Sequence, residues 1–210
     1  SELEIPDTVR QLEKSAFREC TGLRKVTLPV DLAYKGWKSG YGTFYGTINV
    51  EEVHYTKGET GVMADRATIS SSDNYYEGML ESWSSGALKR AIFDEGITRI
   101  GNYAFQAGTG LEEVSLPKTL KSIGDYAFSG NPSLKSIVMP EGLEKLGIFS
   151  FSGCKGLTDL AEIGFPGRVE EVPEGCFQGC TGLSELEIPD TVRQLGQSAF
   201  RECTGLRKVT

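Results

Sequence analysis

Between Leu111 and Gly130 the chain reads LEEVSLPKTLKSIGDYAFSG, which places apolar side chains at Leu111, Val114, Leu116, Leu120, Ile123, Ala127 and Phe128. The same order returns along the chain. Phenylalanines at Phe105, Phe128, Phe151, Phe177 and Phe200 are spaced by 23, 23, 26 and 23 residues. A leucine stands six residues after each, at Leu111, Leu134, Leu157, Leu183 and Leu206. An aliphatic residue follows three further on, at Val114, Ile137, Leu160, Leu186 and Val209. An earlier copy runs through Phe17, Leu23 and Val26. The unit is LxxVxLPxxLxxIGxxAFxxCxG, and self-similarity at a fixed period of this length is the signature of stacked repeats.

Within LxxVxLP the apolar positions alternate towards the end, and their β-branched content predicts a short strand that the proline terminates. One strand per turn, stacked in parallel at about 4.8 Å, predicts a sheet about 35 Å long over eight turns. Leu120, Ile123 and Phe128, in the remainder of the unit, are expected to point inward and cover it. No single turn can bury its own apolar edge, so stability must come from its neighbours.

The interval from Phe17 to Phe105 interrupts the period, yet the phase can be followed through it. YGTFYGTINVEEVHYT, residues 41–56, overlays DYAFSGNPSLKSIVMP, residues 125–140, and puts Phe44, Val50, Val53 and Tyr55 on the apolar positions. ALKRAIFDEGITRIGNYAF, residues 87–105, continues the pattern. The expectation is one solenoid over residues 1–210 of about eight turns, with loop insertions at 30–93. The last 27 residues, SELEIPDTVRQLGQSAFRECTGLRKVT, copy the first 27 with Gly196 and Gln197 in place of Glu13 and Lys14. That pair is read as a turn whose charges do not determine the fold, and the copy as a 183-residue tandem block followed by the next block's first turn.

LPKTLKSIGDYAF, residues 116–128, and EIPDTVRQLGQSAFRECTGL, residues 187–206, resemble the BspA-like leucine-rich repeats of bacterial surface proteins. The likeness is strong over 1–29 and 94–210 and looser over 30–93. It implies a leucine-rich-repeat solenoid of the α/β class, with a curved parallel sheet on one face and short helical or 3-10 turns and loops on the other. TGVMAD, residues 60–65, is similar to a segment often preceding such repeats, which leaves a small β-rich cap at 30–93 as the alternative. The resemblance also implies an extracellular or cell-surface location and a part in adhesion.

Apolar and charged fractions of 39% and 24% are those of an ordered globular chain. A net charge of −7 without basic tracts argues against nucleic-acid and anionic-membrane partners, and no apolar run is long enough to cross a bilayer. The polar start shows no signal peptide.

Four cysteines, Cys20, Cys154, Cys180 and Cys203, share one phase three residues after the phenylalanine, where Gly108 and Asn131 stand in other units. A residue type fixed by phase reads as a small buried side chain whose S–H reaches a neighbouring carbonyl. Cys176 reads as a further small core residue. With one histidine and no CxxC, neither a metal site nor a cofactor is expected. His54 is expected on the open face of its strand, and no nucleophile elbow or phosphate loop accompanies it, so an enzyme is not expected.

Stacked in register, the residues after the strand leucine read Arg24, Glu51, Lys89, Glu112, Lys135, and the next column reads Lys25, Glu52, Arg90, Glu113, Ser136. Alternating signs on neighbouring strands stabilise pairing and fix register. The candidate exposed face is therefore His54, Glu52, Arg90 and Glu113, read either as self-satisfied or as a ligand groove. Aromatic residues gather in the insertions, at Tyr34, Trp37, Tyr41, Tyr45, Tyr75, Tyr76 and Trp83. They are candidate ligand contacts for a protein or glycan of a host or neighbouring cell, or caps over the core where the repeat is broken, with Trp83 replacing the missing phenylalanine. The leading expectation is a non-catalytic recognition module. The alternative is a structural spacer that self-associates end to end through its repeats.

Overall fold

The computed structural model describes residues 1–13, 15–34, 43–44, 46–65, 86–158 and 165–210. Among them the repeat's strand position forms β1 (Glu2–Glu4), β3 (Lys25–Pro29), β5 (Glu52–Thr56), β6 (Arg90–Phe93), β8 (Glu113–Ser115), β10 (Ser136–Ile137), β13 (Glu185–Leu186) and β15 (Lys208–Val209). A second ladder comes from the xI position of the unit. It comprises β2 (Gln11–Leu12), β4 (Ala33–Tyr34), β7 (Arg99–Ile100), β9 (Ser122–Ile123), β11 (Lys145–Leu146), β12 (Glu171–Val172) and β14 (Gln194–Leu195).

All strand pairs are parallel. The main sheet has the order β1-β3-β5-β6-β8-β10, and β13-β15 pair in the same manner further along. Register follows the repeat phase: Val26 pairs with Val53, Val53 with Ala91, Ala91 with Val114 and Val114 with Ile137. The irregular stretch keeps that phase, because β5 pairs with both β3 and β6. Phe44, Val50, Val53 and Tyr55 are all buried, as are Leu88, Phe93, Ile97 and Ile100.

The expected helical or 3-10 face is absent from the described residues; turns and the second parallel ladder stand in its place. The backbone gives the reason. Each repeat carries two left-handed residues four apart: Tyr103 and Ala107, Tyr126 and Gly130, Phe149 and Gly153, Gly175 and Gly179, Ser198 and Glu202, all with φ between 53° and 73°. Left-handed residues end a right-handed helix wherever they fall. The N–H groups between them also bond outward to the next turn, Tyr103 to the Asp125 carbonyl, Phe105 to Ala127 and Ala107 to Ser129, at 2.6 to 2.8 Å. A helix would need those donors within the segment.

Inside, the repeat phenylalanines stack. Phe105, Phe128, Phe151, Phe177 and Phe200 follow one another with ring centroids 5.5 Å apart and ring planes within 12° of parallel. Three residues on, a polar column donates to the phenylalanine carbonyl of the preceding turn. Cys154 Sγ donates to Phe128, Cys180 to Phe151 and Cys203 to Phe177, each at 3.1 Å. Thr47 Oγ1 does the same to Phe17 at 2.6 Å, and Asn131 Nδ2 to Phe105 at 2.8 Å. The side chain varies and the bond does not. Glycine at position 108 makes room for Asn131, whose Oδ1 would lie 2.6 Å from an added Cβ.

Two stability outcomes follow. Asn131→Ala takes the amide donor from the Phe105 and Phe128 carbonyls, leaving Phe105 only the longer bond from Gly108 N–H at 3.3 Å, and is expected to cost about 1–3 kcal/mol in urea unfolding, whereas Asn131→Cys, which reproduces the neighbouring turns, should recover most of that loss. Burial also pushes the thiols of Cys154 and Cys176 up to about 12 from an ordinary value of 9.0. Above pH 9 the unfolded chain releases these protons while the folded chain keeps them, so stability falls as pH rises towards 12, by about 1.4 kcal/mol per pH unit for each thiol. Urea midpoints between pH 8 and 11 should therefore drop less steeply in Cys176→Ala, which places alanine where Ala104, Ala127 and Ala199 already stand. An unchanged slope would show that the Cys176 thiol does not contribute.

Candidate functional site

Alternate residues of β3, β5, β6, β8 and β10 leave one face of the main sheet open. Its charged columns pair from turn to turn. Arg24 meets Glu51 at 3.6 Å, Lys25 meets Glu52 at 3.1 Å, and Arg90 bridges Glu52 at 3.3 Å and Glu113 at 3.7 Å. Glu112 lies between Lys89 and Lys135, at 3.4 and 3.6 Å. Exposed pairs of this kind are each worth about 0.2–1 kcal/mol, enough to favour the native register and too little to hold the fold. Glu52, Arg90 and Glu113 thus form one continuous ion-pair chain, with Glu52 the most enclosed of the three.

The middle column of the open face reads Thr27, His54, Ile92, Ser115, followed by Val138. His54 is half-buried rather than simply solvent-facing, and its Nε2 lies 2.7 Å from Asp94 Oδ1. The signal for that contact was present in the sequence. Asp94 takes the place that proline holds in most units, one strand over from His54 in the repeat phase. Of the aromatic candidates, Tyr34 contributes backbone to β4, and its side chain, like Trp37, Tyr41, Tyr45, Tyr75, Tyr76 and Trp83, lies outside the described residues.

Towards the β10 end the face changes character. At β10 the charge column reaches Ser136, and the middle column Val138, 63% exposed. Beside it, between the β8 and β10 turns, lies a groove of about 650 Å³. Leu116, Val138, Met139 and Pro140 supply most of its apolar surface, and Glu113, Lys118 and Glu141 its charges, Glu113 being already paired with Arg90. This region escaped the sequence reading, which sought aromatics and charges. The run Ile137-Val138-Met139, which breaks the apolar–polar alternation kept by the adjacent β8, was the available signal.

Among the described residues, no group of three or more His, Cys, Asp or Glu is placed to hold a metal. Burial raises the thiols of Cys154, Cys176 and Cys180, the opposite of what an activated nucleophile needs. No helix of the described residues is long and apolar enough to cross a membrane.

Comparison with known proteins agrees with this architecture. The BspA type leucine rich repeat region matches in six copies, over residues 1–64 and 81–207. No curated protein matches the chain. Among solved structures, the leucine rich repeat protein of T. pallidum is similar at 21% identity and a TM-score of 0.62, over 98% of this chain and 78% of that one. A leucine-rich repeat protein from Bacteroides ovatus matches at 21% identity and a TM-score of 0.53, over 99% of this chain. A leucine rich cell surface protein from Faecalibacterium prausnitzii matches at 19% identity and a TM-score of 0.50, over 100% of this chain. The chain spans 60% of each of the latter two. These likenesses concern the fold, and with the six repeat copies in phase along most of its length, the chain belongs to the BspA-type leucine-rich-repeat family.

Proposed function

We propose that the chain is a non-catalytic recognition module of a bacterial cell-surface or secreted protein, and that it serves adhesion to a protein or glycan of a host or neighbouring cell. The observation that carries this reading is the open face of the parallel sheet. It is backed by a continuous core, and its side chains are arrayed at fixed spacing across successive strands. Such a surface is suited to binding an extended partner through many small contacts. The buried, raised thiols suit binding better than bond-making. The family, and the likeness to a leucine rich cell surface protein of Faecalibacterium prausnitzii, support a surface location.

Labelled chain, applied to host epithelial cells and to neighbouring bacteria, should bind saturably, and antibody against the chain should stain intact producing cells. Binding lost after protease treatment of the target cells would indicate a protein receptor, and binding lost after glycosidase treatment a glycan. Absence of saturable binding to any of these surfaces, or staining only after the producing cells are permeabilised, would contradict the proposal. In the same assay, Trp37→Ala with Tyr41→Ala reads the aromatic insertions. Lost capture with unchanged thermal unfolding assigns them to binding, whereas loss of both assigns them to the core.

A further inference from the structure

We infer that the groove between the β8 and β10 turns is the docking site for an extended polypeptide segment carrying an aliphatic side chain flanked by charged ones. The inference rests on the recognition role just proposed and names its partner class. Elsewhere on the open face the charges answer one another across turns, leaving little for a partner to satisfy. The groove differs in two independent respects.

Val138 occupies a position that is polar in the neighbouring turn, where Ser115 stands, and it is the most exposed of the large apolar side chains described. Leu116 and Pro140 extend its apolar surface at partial exposure, so an aliphatic side chain laid against them would remove all three from water. The second respect is charge. Lys118 and Glu141 stand 23 residues apart on successive turns, and Lys121 and Glu144, with the same separation, form an ion pair at 3.1 Å. No such pair joins Lys118 to Glu141 or either of them to another described residue, and the nearby Glu95 carboxylate is engaged by the Lys118 backbone N–H at 3.0 Å rather than by its ammonium. An aliphatic floor with an unanswered cation and an unanswered carboxylate at its rim fits a peptide, which brings apolar and charged side chains on one backbone. It fits a glycan poorly, since sugar rings stack on exposed aromatic faces and none of the residues lining the groove is aromatic.

Selection of a phage-displayed random peptide library on the whole chain tests this directly. Enriched peptides should share an aliphatic residue with an acidic neighbour for Lys118 and a basic one for Glu141, and Val138→Asp should weaken their binding by at least about tenfold. Lys118→Glu should shift the preference from an acidic to a basic neighbour. Both side chains are exposed, so thermal unfolding should be unchanged; should Val138→Asp lower it, the Lys118→Glu preference decides. Enriched peptides that bind Val138→Asp as tightly as the parent, the enrichment of none, or glycan-array binding that Val138→Asp removes would each overturn the inference. Cell binding by the parent chain that survives Val138→Asp would sink the groove while leaving the recognition role standing. Failure of the parent to bind any cell would sink that role without bearing on the peptide selection.

Discussion

Every turn of this protein has an apolar edge that only another turn can cover, and the rest of the structure follows from that dependence. The duplicated ends display it within one chain. Val26 and Val209 sit in the same local sequence, GLRKVT, and pair in parallel with the preceding strand in the same register. Val26, with β5 beyond it, is fully buried; Val209, with no strand of this chain beyond it, is 57% exposed. Leu12 and Leu195 repeat the contrast at 9% and 50%. Local sequence therefore selects the conformation of a turn, and the neighbour supplies most of its burial.

The same dependence explains why the unit is conservative in its interior bonds and permissive in the residues making them. Backbone N–H groups near each phenylalanine are committed to the next turn, and the polar column closes one further carbonyl per turn with a thiol, a hydroxyl or an amide as the position allows. Asn131 reaches its carbonyl because Gly108 leaves space in the turn before it. Left-handed residues at two fixed positions let the chain change direction within a short unit, so that strand, turn and second ladder all present the same cross-section to the neighbour above and below.

Much of this was legible from spacing. Buried positions at Phe44, Val53 and Tyr55 follow from overlaying an irregular segment on the regular unit, because apolar phase survives insertions that fall in loops. The alternating charge columns were readable for the same reason, and they do pair. The absence of a helix from the described residues was not readable. Leu120, Ile123 and Phe128 bury equally well from a helix or from a turn with an extended rung, and the left-handed residues deciding between them, Tyr103, Tyr126 and Phe149 among them, are not residue types that announce that conformation. The groove was missed because its signal is a departure from pattern, a valine where alternation calls for a polar side chain, and it becomes meaningful only when its neighbours' ion pairs are known to be closed.

If neighbour burial rather than local sequence holds each turn, the same substitution made in the two copies of GLRKVT must differ in effect. Chemical denaturation of Val26→Ala and Val209→Ala, each in the full chain, measures this. The covered site should lose about 2 kcal/mol and the uncovered one less than about 0.5 kcal/mol. Equal losses at the two positions would contradict the account.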